Sequence, residues 1–145
     1  MALIEFKDKP NTTTPVNANN LNNNFNDLDN RSIYETGNND NGNYIKFNDG
    51  TMICTIIKDY DFIFKSSQKW GVLWESDSCV LGDYPAQFAS RPTVNVAIIN
   101  STGGIIEYIM NGTKSSIGRA LILRPVESNE TRTYKLAIIA IGKWK

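Results

Sequence analysis

The sequence predicts a mainly β chain: a short N-terminal coiled-coil helix followed by an antiparallel β-sandwich of jelly-roll-like kind. Three observations carry this. The composition changes near Gly42, from a first third crowded with Asn to a remainder rich in Ile, Val, Thr, Tyr and Trp. Apolar residues recur at helical spacing before that point, and at a period of two after it. The separators between the later apolar runs carry turn chemistry, with no convincing helix among them.

The helix comes first. Thr14-Pro15 is a helix-start signal, a hydroxyl able to cap free N–H groups followed by a proline where its missing donor costs nothing. From there Ala18, Leu21, Phe25 and Leu28 recur at spacings of three, four and three, an a/d seam within a predicted stalk helix over 15–33. Asn has poor helix propensity and the seam is short, so such a helix needs a partner to persist in water. The stripe is narrow for the face of a globular helix, and identical chains about a symmetry axis would bury it. The competing fate is that Leu21, Phe25 and Leu28 dock onto the chain's own β domain. Residues 34–43, with Gly37 and a run of Asn and Asp, read as a flexible hinge.

The β domain is expected over 44–145. Tyr44 to Phe47 and Thr51 to Lys58 flank Asn48-Asp49-Gly50, a strong hairpin signal. Further strands are expected at Asp61 to Lys65, Gly71 to Trp74, Thr93 to Asn100, Ile105 to Asn111, Ala120 to Val126 and Tyr134 to Ile141. Ser66-Ser67, Gly82-Asp83, Gly103-Gly104, Asn111-Gly112 and Ser128-Asn129 are the expected turns. The last run, Leu136 to Ile141, does not alternate and is expected to be covered on both faces, one by the sandwich and the other by a second subunit or a loop.

Composition narrows the chemistry. Fifteen basic and fifteen acidic residues cancel and are scattered, which argues against nucleic acid or an anionic membrane as partner. There is no histidine, the commonest general base at neutral pH and the most frequent transition-metal ligand. No catalytic residue, metal site or cofactor is therefore expected. Cys54 and Cys79 fit no metal or redox spacing and read as core thiols, a disulfide between them being possible in principle. The first residues lack the features of a secretory signal, and no apolar run approaches the roughly 20 residues of a membrane span, so synthesis in the cytoplasm as a soluble protein is expected.

Two constellations invite a functional reading. Asp59 with Asp61, and Glu75 with Asp77 and Asp83, would interest a glycosidase, but turns and strand ends are also where solvated acids sit. Trp70 and Trp74, with Asp77 and Tyr84 close by in sequence, suit a sugar, whose apolar ring faces stack on aromatics while carboxylates accept from its hydroxyls. The plain alternative is that these rings are core, and positions 70 and 74 read as one face of a strand. Trp144 reads as packing where the chain meets the domain.

Three stretches carry a family likeness that spans most of the chain. Thr14-Pro15-Val16-Asn17-Ala18-Asn19-Asn20-Leu21-Asn22 resembles the segment that opens a helix in tail-fibre and baseplate-associated proteins of bacteriophages infecting low-GC Gram-positive bacteria. Asn41 through Cys54, reading NGNYIKFNDGTMIC, is similar to the hairpin that begins their terminal β domain, and Ala140-Ile141-Gly142-Lys143-Trp144-Lys145 resembles their usual ending, with Lys143 where Arg is common. The resemblance implies a homotrimer in the virion, with residues 1–14 anchoring it to other tail, baseplate or capsid proteins and the β domain attaching to a host cell-wall glycan or surface protein. A purely structural fibre or decoration protein is the alternative.

Overall fold

The computed structural model describes residues 18–100, 104–109, 111–127 and 129–145. The expected anchoring segment 1–14 and the Thr14-Pro15 cap lie outside them. Helix α1 covers Ala18–Arg31, shorter at its end than the expected stalk. It stops where its orphan carbonyls find partners: Ser32 donates through both its backbone N–H (3.0 Å) and its hydroxyl (2.6 Å) to the Asp29 carbonyl. The Asn48 side-chain amide adds a bond to the same carbonyl at 2.9 Å, tying the helix end to a turn of the β body. Phe25 and Leu28 are 41% and 65% exposed.

Residues 34–43 are a β-hairpin and not a hinge. Strand β1, Ile33–Asn39, pairs antiparallel with β2, Gly42–Phe47, around Asp40-Asn41. The Asn residues that looked like linker are turn chemistry, with the Asn39 carboxamide oxygen accepting from the Asn41 N–H at 2.9 Å. Gly37 has a packing reason: it sits opposite Tyr44, and a Cβ there would lie 2.5 Å from the Tyr44 hydroxyl oxygen.

Strand β3 runs unbroken from Thr51 to Trp70, joining two expected strands and absorbing the expected Ser66-Ser67 turn. Asp59 and Asp61 do not interrupt it because both point outward, while their backbones stay paired with the last strand. Between Phe64 and Lys69 the register against the next strand slips, and Ser66 and Ser67 lie in that irregularity. Gly71 then turns the chain with φ of 64° into β4, Leu73–Ser76. The remaining strands are β5 (Cys79–Val80), β6 (Thr93–Ile98), β7 (Ile105–Ile109), β8 (Arg119–Arg124) and β9 (Thr131–Lys143).

The fold is thus mainly β with one short helix, and every ladder is antiparallel. The ladders form two groups joined by β3. Its first part lies between β2 and β9, and β6 continues beyond β9. Its last part pairs with β4, which pairs with β8, and β7 and β5 also pair with β8.

One core gathers side chains from both groups. Met52, Cys54, Ile56, Phe62 and Phe64 of β3, Leu136, Ile138 and Ala140 of β9, and Ala120 and Ile122 of β8 are all buried. Burying such side chains contributes roughly 1.5–3 kcal/mol apiece for the larger ones. The segment between β5 and β6 adds Leu81, Tyr84 and Phe88. The even-numbered face of β9 lies in the core, while Ile139 and Ile141 on its odd-numbered face are each 47% exposed on the single chain. Cys54 is buried, Cys79 is half-buried, and both are free thiols.

Candidate functional site

The β3–β4 hairpin end gathers three of the four residues singled out for binding. Trp70 is 58% exposed and Val72, in the turn, 85%. Trp70 pairs with Leu73 and Lys69 with Trp74. Neighbouring residues on a strand point to opposite sides, so Trp70 and Trp74 face apart and do not share the single face read from their spacing. The turn at Gly71-Val72, between the end of β3 and the start of β4, reverses one of them.

Trp74 is half-buried, with the Lys69 ammonium 4.5 Å from its ring centre. Its indole Nε1 is buried without a hydrogen-bond partner among the described residues. Asp77 accepts from Lys65 Nζ at 2.6 Å and from Gln68 Nε2 at 2.8 Å. These two bonds, Lys65 first, hold its carboxyl below the ordinary range and spend it on bracing the irregular stretch of β3. Tyr84 lies elsewhere, 5% exposed in the core and edge-on to Phe88 at 5.0 Å. A ring so enclosed offers no face to a ligand. The surface a ligand can reach here is Trp70 with Val72, one aromatic plate beside an aliphatic tip.

The acidic residues are dispersed. Asp59 stands 3.8 Å from Lys135, and Asp61 accepts from the Thr133 hydroxyl at 2.6 Å. Among the described residues no group of three or more Cys, Asp or Glu side chains is placed to hold a metal ion, and no helix is long and apolar enough to cross a membrane.

A second cluster escaped the sequence reading. Tyr34 stacks on Trp144, Lys46 lies 5.4 Å from the same indole, and Glu35 accepts from Lys46 at 2.7 Å and from the Tyr44 hydroxyl at 2.5 Å. The bond from Lys46, then that from Tyr44, pull the Glu35 carboxyl below its ordinary value, and the same carboxylate pushes the Tyr44 phenol up. Trp144 donates from Nε1 to the Phe47 carbonyl at 3.0 Å. With neighbours on its ring and its donor used, this indole is a fastening between the chain's last strand and its first hairpin. The signal in sequence was faint: Tyr34 sits in the Asn-rich third, and nothing local links it to position 144.

The oligomerisation candidates lie on α1. Leu21 is half-buried, Phe25 and Leu28 are exposed, and the Ala18 side chain lies outside what the structure describes. No family model matches the chain, and neither the curated proteins nor the solved structures compared with it include a match.

Proposed function

We propose that the chain is a non-enzymatic attachment module of a bacteriophage virion, assembled as a trimer through a coiled coil of α1 and presenting a β-sandwich to the host surface. The observation that carries this reading is the exposure of Phe25 and Leu28 on a 14-residue helix whose end is fixed to the β body. An isolated helix of that length is marginal in water, and part of its apolar stripe stays exposed on the single chain. Copies of the same helix are the simplest cover.

Two ladder groups that share one core support the sandwich reading. The likeness of the helix opening, the 41–54 hairpin and the final residues to phage tail-fibre proteins supports the viral setting. Exposed Trp70 and Val72 at the far end of β3 supply the contact surface, Trp70 able to stack on an apolar sugar face. Several weak sites held together multiply avidity by about 10²–10⁴, so each can be modest.

The test is direct. Fluorescently labelled full-length chain should decorate cells, or purified wall glycans, from a panel of low-GC Gram-positive bacteria, and Trp70→Ala should remove most of the signal. Absence of binding across the panel would defeat the attachment reading.

A further inference from the structure

One side of the β3–β4 hairpin end carries polar groups that can only accept. The ladder with β9 stops at Ile63, and beyond it β3 is paired with β4 alone. There Trp70, 58% exposed, lies opposite Leu73, and Glu75, two residues further along β4, points to the same side. Such a diagonal separates two strand positions by roughly 7–8 Å, within reach of an aromatic and a long side chain. The Glu75 carboxylate has no hydrogen bond or ion pair among the described residues. Asp77 differs, because Lys65 and the Gln68 amide already hold it. Gln68 directs its amide nitrogen at Asp77, which leaves its Oε1 buried with no donor.

Resting on the reading that Trp70 is where a glycan touches the chain, we infer that this side of the hairpin takes a cationic group, an ammonium carried by the glycan, held between the Trp70 ring and the Glu75 carboxylate. An ammonium has three donors and no acceptor, so it matches a surface whose open polar groups accept. The face of an indole attracts a cation placed within about 6 Å of its centre, and a carboxylate beside it adds the opposite charge. The lysines of this hairpin do not compete for the place. Lys69 turns to the other side, 4.5 Å from the Trp74 ring centre, and Lys65 is bound to Asp77. Further along the same side, Glu107 of β7 lies opposite Leu121 and adds a second acid, while Arg119 stands at the far end of β8 from Trp70. A neutral sugar can donate hydroxyls to Glu75 but brings no charge to it, and an N-acetylated one replaces the ammonium with an amide. Both would be held less firmly than the amine.

The test is calorimetric titration of the full-length chain with a glucosamine oligomer, at a pH where its amines are protonated, and with the same oligomer N-acetylated. Wild type should bind the amine form about tenfold more tightly, the combined worth of a cation–π contact and an exposed ion pair, and added salt should narrow the gap. Glu75→Gln keeps the size and removes the charge, so it should erase the preference while still binding the N-acetylated form. Trp70→Ala should weaken both, with circular dichroism unchanged in either variant. Equal affinity of wild type for the two forms, binding of neither, or a preference that survives Glu75→Gln would overturn the cation site. Cells still decorated by wild type and not by Trp70→Ala would then leave the attachment reading standing. Preferential binding of the amine form, with no cell in the panel decorated, would keep the cation site and remove the attachment reading. Should Glu75→Gln not fold, salt decides, since a wild-type preference unchanged by salt overturns the site.

Discussion

The Tyr34 ring stacks on Trp144, with centroids 4.8 Å apart and planes 24° from parallel. This contact joins the first strand to the last residues. Replacing Trp144 with Ala removes the stack and the bond to the Phe47 carbonyl. We expect a loss of about 2–3 kcal/mol, below a fully buried Trp because the ring is only half-enclosed, read as a lower urea midpoint.

Gly37 tests whether residues 34–43 are ordered. A flexible linker would accept Ala at that position without effect. Since the added methyl meets the Tyr44 ring at 2.5–2.6 Å, Gly37→Ala should cost about 1–3 kcal/mol in chemical denaturation.

Ser76 is 1% exposed, and its hydroxyl oxygen accepts from the Ile122 N–H at 2.9 Å. Ser76→Ala leaves that N–H buried without this acceptor. Denaturation should report about 1–3 kcal/mol of lost stability, and Ser76→Val should not recover it.

Alkaline pH should unfold the protein in a defined window. Burial raises the Cys54 thiol from 9.0 to about 11 and the Tyr60 phenol from 10.0 to about 12. Both groups are neutral in the fold and ionise first in the unfolded chain. Their contribution is therefore complete below pH 9 and disappears as pH climbs through the folded values. Cys79 and Tyr44 shift in the same direction. Urea midpoints should hold steady up to pH 9 and then drop, and Cys54→Ala should flatten the drop between pH 9 and 11.

The turn residues made much of this fold readable. Asn48-Asp49-Gly50 does separate β2 from β3, and the long final run is a strand with Leu136, Ile138 and Ala140 inward. What stayed hidden depends on distant pairing. Lys58, Asp59 and Tyr60 look like a break, yet they remain extended because Leu136, Lys135 and Tyr134 lie opposite them. Strand β1 was masked by its own composition, since Asn and Gly are depleted in strands and only Tyr44 across the hairpin explains Gly37.

The candidate site was legible in part. Trp70 and Trp74 do sit at one hairpin, but the turn between them reverses their directions, and counting residues cannot reveal a turn inside an apolar run. Tyr84 depends on the 81–92 segment folding inward, for which it has no local periodicity. The seam at Leu21, Phe25 and Leu28 was the clearest local pattern, because a helix announces its face within two turns.

The placement of β9 governs how the chain must fold. It lies between β3 and β6, and its partners are far back in the sequence: Thr51 is 92 residues from Lys143, and Asp61 is 72 from Thr133. Loops of that length have to close before any of this ladder is rewarded, which places the protein among slow folders, on the millisecond-to-second scale. Until closure the open edge of β3 is a sticky template, and crowded synthesis would reward a chaperone that shields it.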